Sequence, residues 1–424
     1  MNKKLILSLI SLGLISFLCV LIETSLNVTF PFLIKEHNIN INTASLLTSM
    51  FLLAITLLMP LSSFIIYKFN TKIIFNLIIT LFLISLIACI TTNNFYVLLI
   101  ARIIQGIVAG IALPLMFNIV IIKAPKNSFG FLMGFCIFLI ACAPGLGPIY
   151  GGFMMKFHNF NSIFIYLIPF VIISFIIGVF SIDNLQCQSK VKFNILEYIF
   201  ILLIIVSLIL SIKNQIYLIL FIILLTISIK MKNQLIMCIT NINYTSGAFV
   251  IFFIQFMALS FSLILPNYLI NILNLDNYNA GKTMLIGCII AAILAPVSGK
   301  ISDKHNPFII STIGVLIIII SNILFLLLDK NLLNFSISYT IFSIGQGLCA
   351  SPIISHIIKI STNKTNANAF FNTFQQCFGM FGVMISSLIF NNNYILGFNH
   401  VITLLIILSV ISLILTLISF KFNQ

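Results

Sequence analysis

Long apolar stretches recur along the whole chain, and they limit what it can fold into more than any other feature. They begin at Leu5 and end at Phe420, and most are about twenty residues long, enough for a helix that crosses a hydrocarbon layer ~30 Å thick. No water is available there for backbone N–H and C=O groups, so these segments must be helices. Only 7% of the residues are charged, against roughly a quarter in soluble domains. The sequence therefore predicts an all-α polytopic membrane protein.

The apolar stretches predict fourteen transmembrane helices. The first follows Lys3 and Lys4 as a signal peptide would, but it continues to about Pro31 without a small-residue cleavage site, which favours a span. The seventh and eighth are short and nearly free of charge. The predicted helices lie near residues 5–31, 43–67, 72–92, 95–122, 129–152, 161–182, 194–212, 215–230, 244–270, 279–303, 307–328, 332–359, 367–391 and 399–420.

The lysines orient these helices. With the N-terminus in the cytoplasm, fifteen lysines fall on the cytoplasmic side and five on the outer side, an asymmetry typical of membrane proteins. An even number of spans returns the chain to its starting side, so both termini are predicted to be cytoplasmic. We expect the protein in the cell membrane of a bacterium. The five outer residues are Lys35, Lys156, Lys213, Lys282 and Lys330.

The formal charge of +14 would suggest a nucleic-acid partner in a soluble protein. Here the cytoplasmic lysines account for it, so we expect no nucleic acid. The nine cysteines are scattered without CxxC or metal-ligand spacing, which predicts neither a disulfide framework nor a metal site. The sequence has no nucleophile–base set and no phosphate-binding loop. We therefore expect no enzyme activity and no cofactor.

The chain repeats itself weakly. Pro31 closes the first predicted helix and Pro266 closes the ninth. Pro60 lies near the end of the second helix and Pro296 near the end of the tenth. The first and second halves of the chain are therefore predicted to be copies of one unit.

This repeat predicts the domain organisation. Gln105-Gly106 in the fourth helix recurs as Gln346-Gly347 in the twelfth. Two pseudo-symmetric six-helix bundles, residues 1–182 and 234–424, are predicted on either side of a cytoplasmic linker and an inserted two-helix hairpin, residues 183–233. Two such halves with a substrate bound between them near the midplane describe a secondary transporter of the alternating-access type.

Three motifs resemble those of one transporter family. Glu23 begins E-T-S-L-N-V-T-F-P in the first predicted helix. Arg102 lies in A-R-I-I-Q-G in the fourth, and Ala143 begins A-P-G-L-G-P-I-Y-G-G in the fifth. Together they resemble the major facilitator superfamily, specifically its fourteen-span drug:proton antiporters of the multidrug-efflux type. The resemblance implies export of small lipophilic compounds, cationic ones included, by ion-coupled antiport.

The superfamily's cytoplasmic signature, G-x-L-x-D-R-x-G, is only partly present. Residues 63–70, after the second helix, lack both glycines and the aspartate, whereas the copy after the tenth helix keeps Gly299, Asp303 and Lys304. The resemblance assigns these three residues to the cytoplasmic gate. Gating in the first half is expected to use different contacts.

Glu23 is the one acidic residue, of seven, that lies well inside a predicted helix. A charge at mid-helix costs ~2.5–3.5 kcal/mol on insertion scales, so its retention indicates a cavity and a function. By helical rise, Glu23 and Arg102 lie at similar depths, ~10–12 Å from the outer surface. We predict that Glu23 carries the coupling proton and that Arg102 tunes it, because burial favours the protonated carboxyl and a nearby guanidinium favours the carboxylate. The alternative is a static ion pair between the first and fourth helices.

Other polar residues and a row of small residues complete the predicted site. The polar ones could contact the substrate or equally form hydrogen bonds between helices; they are Asn27, Gln105, Gln255, Asn372, Gln375 and Gln376. In the fifth helix, prolines loosen the backbone ladder and glycines permit close packing. We predict a deformable seam against the second half, formed by Pro144, Gly145, Gly147, Pro148, Gly151 and Gly152.

Several functions stay open. The leading prediction is proton-coupled export of lipophilic compounds by a monomer whose partners are the substrate, the ion and the bilayer. Sodium could replace the proton, and the cargo could be a specific metabolite, siderophore or lipid-like molecule. The repeat and the fifth-helix motif argue against a non-transporting membrane sensor.

Overall fold

The computed structural model describes residues 3–125, 129–184, 195–210, 216–231, 236–302, 306–361, 363–392 and 394–421. These residues form helices and no strand. The first nine helices are α1 (Lys3–His37), α2 (Ile41–Ala44), α3 (Leu46–Lys68), α4 (Thr71–Thr91), α5 (Phe95–Lys123), α6 (Phe129–Ala141), α7 (Ala143–Phe157), α8 (Ser162–Ile165) and α9 (Ile168–Ser181). The others are α10 (Ile195–Leu210), α11 (Ile216–Lys230), α12 (Ile242–Asn271), α13 (Asn277–Ser302), α14 (Pro307–Leu327), α15 (Leu332–Ile360), α16 (Lys364–Asn392) and α17 (Tyr394–Lys421), with a 3-10 turn at Met237–Thr240.

Twelve segments of the described chain are long and apolar enough to cross a membrane, so the chain is a multi-pass membrane protein. The predicted count of fourteen is not confirmed, because the described parts of α10 and α11 have 16 and 15 residues. At 1.5 Å per residue these described parts reach ~23 Å, short of a hydrocarbon layer ~30 Å thick. They pack against each other, and α10 also packs against α3, where the Tyr198 hydroxyl donates to the Leu57 carbonyl at 3.0 Å. The connection between them, residues 211–215, lies outside the described residues.

One predicted span is divided at the motif that suggested flexibility. The fifth span was predicted as a single helix over 129–152, but α6 ends at Ala141 and α7 begins at Ala143. Pro144 stands at the start of α7. Its ring lacks an N–H and collides with the carbonyl one turn earlier, so the helix breaks just before it. The second and sixth predicted spans are likewise each divided into two helices.

Asparagines fix where several helices begin. The side-chain oxygen of each accepts a hydrogen bond from a backbone N–H of the first turn, which satisfies a donor that has no partner within the helix. The asparagines that begin helices in this way are Asn40, Asn94, Asn241, Asn306 and Asn331. The many asparagines of this apolar sequence thus mark helix starts in the short loops.

The two halves of the chain pack alike. In the first, α5 packs on α3 and α4, and α1 packs on α7 and α9. In the second, α15 packs on α13 and α14, and α12 packs on α16 and α17. The halves meet where α6 and α7 pack on α13, and where α16 packs on α3. In these two contacts α3 and α13 occupy equivalent places, and so do α6–α7 and α16. A pseudo-twofold relation between the halves requires this arrangement.

The repeat extends to single positions. The Asn27 amide donates to the Ser262 hydroxyl at 3.0 Å, across a separation of 235 residues. That same shift carries Pro31 onto Pro266. Two equivalent positions that bond to each other must lie close to the axis relating the halves. Asn27 and Ser262 therefore lie beside the axis between the two halves.

The bundle has two ends. We call the end with the first residues of α1 the near end, and the end with its last residues the far end. At the near end, Asp183 lies 3.8 Å from Lys4 and 3.5 Å from Lys123, which ties α1 and α5 to the residues that follow α9. At the far end, Lys156 in the last turn of α7 pairs with Asp276, just before α13, at 3.0 Å. The near-end pairs tie the first half to the first residue of the linker, whereas the far-end pair joins the two halves.

Candidate functional site

A cavity of about 180 Å³ lies between the two halves. Glu23 is the one charged residue among those that line it, and the rest are apolar, aromatic, amide-bearing or small. The first half contributes Val20, Glu23, Leu113, Phe117, Ile137, Ile140, Ala141 and Pro144. The second contributes Gln255, Ala258, Leu259, Cys288, Ala291, Ala295, Tyr339, Gln346, Gly347, Ala350, Ile354, Asn368, Phe371, Asn372, Gln375 and Gln376.

Glu23 projects from the middle of α1 and is 3% exposed. Its Oε1 has no hydrogen-bond partner among the described residues. A buried carboxylate without such a partner is costly to keep ionised. The repeat-equivalent position, eight residues before Pro266, holds Ala258, which also lines the cavity. The site therefore carries its acid on one side of the axis only.

Arg102 on α5 is 1% exposed and does not pair directly with Glu23. No ion pair joins the two at 4.0 Å or less in the described chain. The guanidinium instead donates from Nε to the Leu47 carbonyl at 3.3 Å and from Nη1 to Gln105 Oε1 at 2.6 Å. It also lies 4.2 Å from the centre of the Phe51 ring. These contacts hold Arg102 against α3, and the static ion pair is not present in this conformation.

The predicted polar contacts divide into two groups. Gln255, Asn372, Gln375 and Gln376 line the cavity as Glu23 does. Gln105 does not, because its oxygen accepts from Arg102 and its nitrogen points at Cys89 Sγ, 3.8 Å away.

Asn27 is also buried outside the cavity lining. Its oxygen accepts from the Thr48 hydroxyl at 2.9 Å, while its nitrogen donates to Ser262. It lies one helical turn from Glu23 toward the far end. Asn27 thus joins α1, α3 and α12 beside the cavity instead of facing it.

The predicted seam runs along both faces of α7. A Cβ on Gly151 would lie 2.6 Å from the Ser25 carbonyl oxygen on α1. On the opposite face, a Cβ on Gly281 of α13 would lie 2.6 Å from the Pro148 carbonyl oxygen. Gly145 faces Cys288 of α13, and Gly147 faces Thr24 of α1. Backbone contact this close is open only to glycine, so α7 is wedged between α1 of its own half and α13 of the other.

The predicted cytoplasmic gate is only partly described. Gly299 is buried near the end of α13, and its carbonyl accepts from the Ser302 hydroxyl at 2.8 Å. Asp303 and Lys304 lie outside the described residues. In the first half, where the signature is lost, Lys68 lies 5.0 Å from the Phe64 ring and 5.8 Å from the Phe69 ring.

Comparison with known proteins agrees with this architecture. The family model described as Major Facilitator Superfamily matches residues 12–383. The chain belongs to the major facilitator superfamily. Members of this superfamily are transporters, so the twelve spans and the cavity between the halves belong to a membrane transporter.

Relatives of this superfamily member carry several names. It is 25% identical to the uncharacterized MFS-type transporter YhcA of Bacillus subtilis (strain 168), over 92% of this chain and 77% of the relative. It is 26% identical to the lincomycin resistance protein LmrB of the same organism, over 70% of this chain and 66% of the relative. It is also 26% identical to the riboflavin transporter RibZ of Clostridioides difficile (strain 630), over 84% of this chain and 81% of the relative.

Sequence reasoning missed two amides that line the cavity of this superfamily member. Asn368 precedes Asn372 by four residues and Gln376 by eight, so all three share one face of α16. This spacing from Asn372 and Gln376 is the sequence signal that could have identified Asn368 as a lining residue. Gln346 was noted only as part of the repeat, and its placement in the lining follows from how α15 packs against α13 and α14.

Proposed function

We propose that the chain is a secondary active transporter that exports small lipophilic compounds, cationic ones included, by proton-coupled antiport. The observation that carries this proposal is Glu23, a carboxyl group with no hydrogen-bond partner for Oε1, in the cavity between two repeat-related halves. Ionisable groups inside membrane spans face cavities and mark substrate or ion pathways. The relatives named for lincomycin resistance and riboflavin transport support a small-molecule cargo.

Glu23 would carry the proton because it can exchange one partner for another. When it is protonated, the cavity has no charge to hold a cation. When it is ionised, it attracts a cationic cargo or requires a new proton. Arg102 tunes this exchange from the side of α3 and limits how costly the ionised form becomes.

Alternating access would come from movement of the two bundles, residues 1–182 and 234–424, about their common axis, with 183–233 as the connecting segment. The α7 seam supports this, because helices in contact through glycine and proline can shift without repacking large side chains. Gly299, Asp303 and Lys304 are proposed to hold the near end closed in one state. We place the near end and both termini in the cytoplasm, on the distribution of the lysines, and take the monomer as the transporting unit.

A second candidate function is export of one specific metabolite, and the amides of the cavity favour it. Amide side chains orient a cargo by hydrogen bonds, whereas a purely apolar pocket would not. A sodium gradient is the alternative energy source for either function, since one carboxylate suits either ion. The two candidates share the cavity and differ in the range of cargo.

The test is transport by purified protein in vesicles, with tetraphenylphosphonium and lincomycin as probes. A proton gradient and a sodium gradient are imposed separately. We expect the proton gradient alone to drive each transported probe into the acidic compartment. Export driven by sodium alone would overturn proton coupling, and transport of neither probe would count against lipophilic-compound export.

The first prediction concerns Glu23→Gln, which fixes the side chain in a neutral form of nearly the same shape. Uphill transport under a proton gradient is expected to fall at least tenfold, the loss typical of a group on which proton transfer depends. Exchange of probe across the membrane is expected to lose its dependence on pH between 5.5 and 8.5. The matched control is Glu36→Gln, the same change at an exposed position of the same helix. Accumulation by the Glu23 variant at the control's rate would refute the assignment.

A further inference from the structure

The two sides of the cavity differ at equivalent positions. The shift of 235 residues that carries Asn27 onto Ser262 also carries three residues of α6 onto three residues of α16. All six line the cavity. Those of α6 are apolar and those of α16 bear amides: Ile137 corresponds to Asn372, Ile140 to Gln375 and Ala141 to Gln376.

The amides of α16 have hydrogen-bonding capacity to spare. Asn372 donates to the carbonyl and the side-chain oxygen of Asn368, both at 2.9 Å. Gln375 donates to Gln255 at 3.3 Å. Gln376 has no protein partner among the described residues, and it is partly exposed although it lies in the interior of a membrane span. Each amide offers two N–H donors and an oxygen acceptor, so this wall presents both donors and acceptors to whatever occupies the cavity.

Resting on the transport function proposed above, we propose that the cargo is an amphiphile with one protonated amine and a cluster of hydroxyl or amide groups. The amine lies toward Glu23, the one charged group of the lining. The hydroxyl or amide groups bind the α16 amides, and the apolar body packs on Ile137, Ile140 and Ala141. Anions are disfavoured, because the lining contains no cation to receive them. A bulky cation without hydrogen-bonding groups leaves the α16 wall unpaired and so binds less tightly.

The repeat supplies the variant that tests this class of cargo. Gln375→Ile combined with Gln376→Ala copies Ile140 and Ala141 of the first half into the equivalent positions of α16. Binding to the full chain in detergent is measured at equilibrium for radiolabelled lincomycin, which has one amine, an amide and several hydroxyls, and for tetraphenylphosphonium, a cation with neither. We expect the Kd for lincomycin to rise about tenfold, the loss of one to two neutral hydrogen bonds. The Kd for tetraphenylphosphonium is expected to change less than about twofold, because that cation makes no hydrogen bond to lose.

The control is Thr373→Val, which removes a hydroxyl from α16 at a position that does not line the cavity and bonds only to the Ala369 carbonyl. Its two Kd values should equal those of the unmodified protein, and thermal unfolding of all variants is compared. An unchanged Kd for lincomycin in the double variant, or an equal rise for both probes, overturns the proposed class. Equilibrium binding needs no ion gradient, so it tests the class of cargo separately from antiport. If lincomycin binding depends on the α16 amides but no proton-driven transport is measured, that result counts against the antiport proposal alone.

Discussion

Arg102 is the largest fully buried side chain among the described residues, and it is the chain's only arginine. Its planar guanidinium serves three contacts at once: the Leu47 carbonyl, Gln105 and the face of Phe51. A lysine ammonium is a compact charge that cannot reproduce that combination. Its shape therefore serves the packing of α5 on α3, whereas its charge would act on Glu23 under the proposed mechanism.

We predict that Arg102→Lys keeps the coupling charge but weakens the fold. The unfolding free energy should fall by about 2 kcal/mol, as expected when buried hydrogen bonds to a charged group are lost. The measurement is thermal unfolding followed with a thiol-reactive dye, since six of the described cysteines are buried until the protein unfolds. Lys35→Arg, at an exposed site, is the control and should unfold with the parent protein. A lysine variant as stable as the parent would show that the guanidinium geometry is dispensable.

Residues of the site could be predicted from the sequence only where the cost of burying a polar side chain inside an apolar helix itself indicates a cavity. Glu23 was found because an acid inside an apolar helix is expensive, and Gln375 because it lies mid-helix in the same way. Nothing in the sequence distinguishes Gln105, which bonds to Arg102, from Gln346, which lines the cavity. Both precede a glycine in equivalent helices. Which of them faces the cavity depends on tertiary packing.

At the scale of elements, α7 is the helix whose packing is most demanding. It touches α1 through Gly147 and Gly151 and touches α13 where Gly281 meets Pro148. The contact with α13 joins the two halves, so it must change if the halves move. A methyl group there would meet backbone, which cannot give way as a side chain can.

We predict that Gly281→Ala destabilises the protein by ~1–3 kcal/mol through overpacking and slows transport. The control is Gly247→Ala in α12, whose added methyl would meet only side-chain atoms, the nearest at 3.0 Å on Ile357. Replacing glycine by alanine within a helix stabilises both variants by the same ~1 kcal/mol through helix propensity. The difference in stability between the two variants therefore measures the effect of overpacking at the α7–α13 contact. Unfolding temperature and transport rate are measured for both. Equal behaviour of the two variants would remove the special role of the α7–α13 contact.

Helix positions followed from the sequence more readily than the span count. Long apolar periods gave the location of every long helix, because burial in lipid leaves no other structure for such segments. The count of fourteen stays unconfirmed at α10 and α11, because the described part of each helix is shorter than the hydrocarbon layer. The break before Pro144 was foreseen as loosened backbone, but a sequence pattern does not decide between a bend and a full interruption.

At the scale of the whole molecule, two polar links join the halves on the far-end side of Glu23. Asn27 and Ser262 join the halves at the axis, and Lys156 and Asp276 join them at the surface. Both links must break if the cavity is to open toward the far end. The buried link cannot respond to salt in the surrounding solution, whereas the exposed one can.

The surface pair gives a prediction about the balance between states. Lys156 and Asp276 are 48% and 38% exposed, and exposed ion pairs contribute only ~0.2–1 kcal/mol. Asp276→Asn should therefore raise the population open at the far end by about 1.4- to fivefold at low salt, and less at high salt.

The hydrogen bond from Lys156 holds the pKa of the Asp276 carboxyl below its usual range. A lowered pKa means that the pair is intact above the ordinary value of about 4 and is lost only as the pH falls through the lowered one. The pair should accordingly contribute equally at every pH from 5 to 8. Spin labels on cysteines introduced at the exposed residues Tyr166 and Leu333, in a variant without other cysteines, would report the far-end distance. The charge-swapped variant Lys156→Asp with Asp276→Lys should restore the parent distribution. A distribution that does not respond to Asp276→Asn would exclude this pair as a latch of the far end. So would a distribution that shifts between pH 5 and 8 in the parent protein but not in Asp276→Asn.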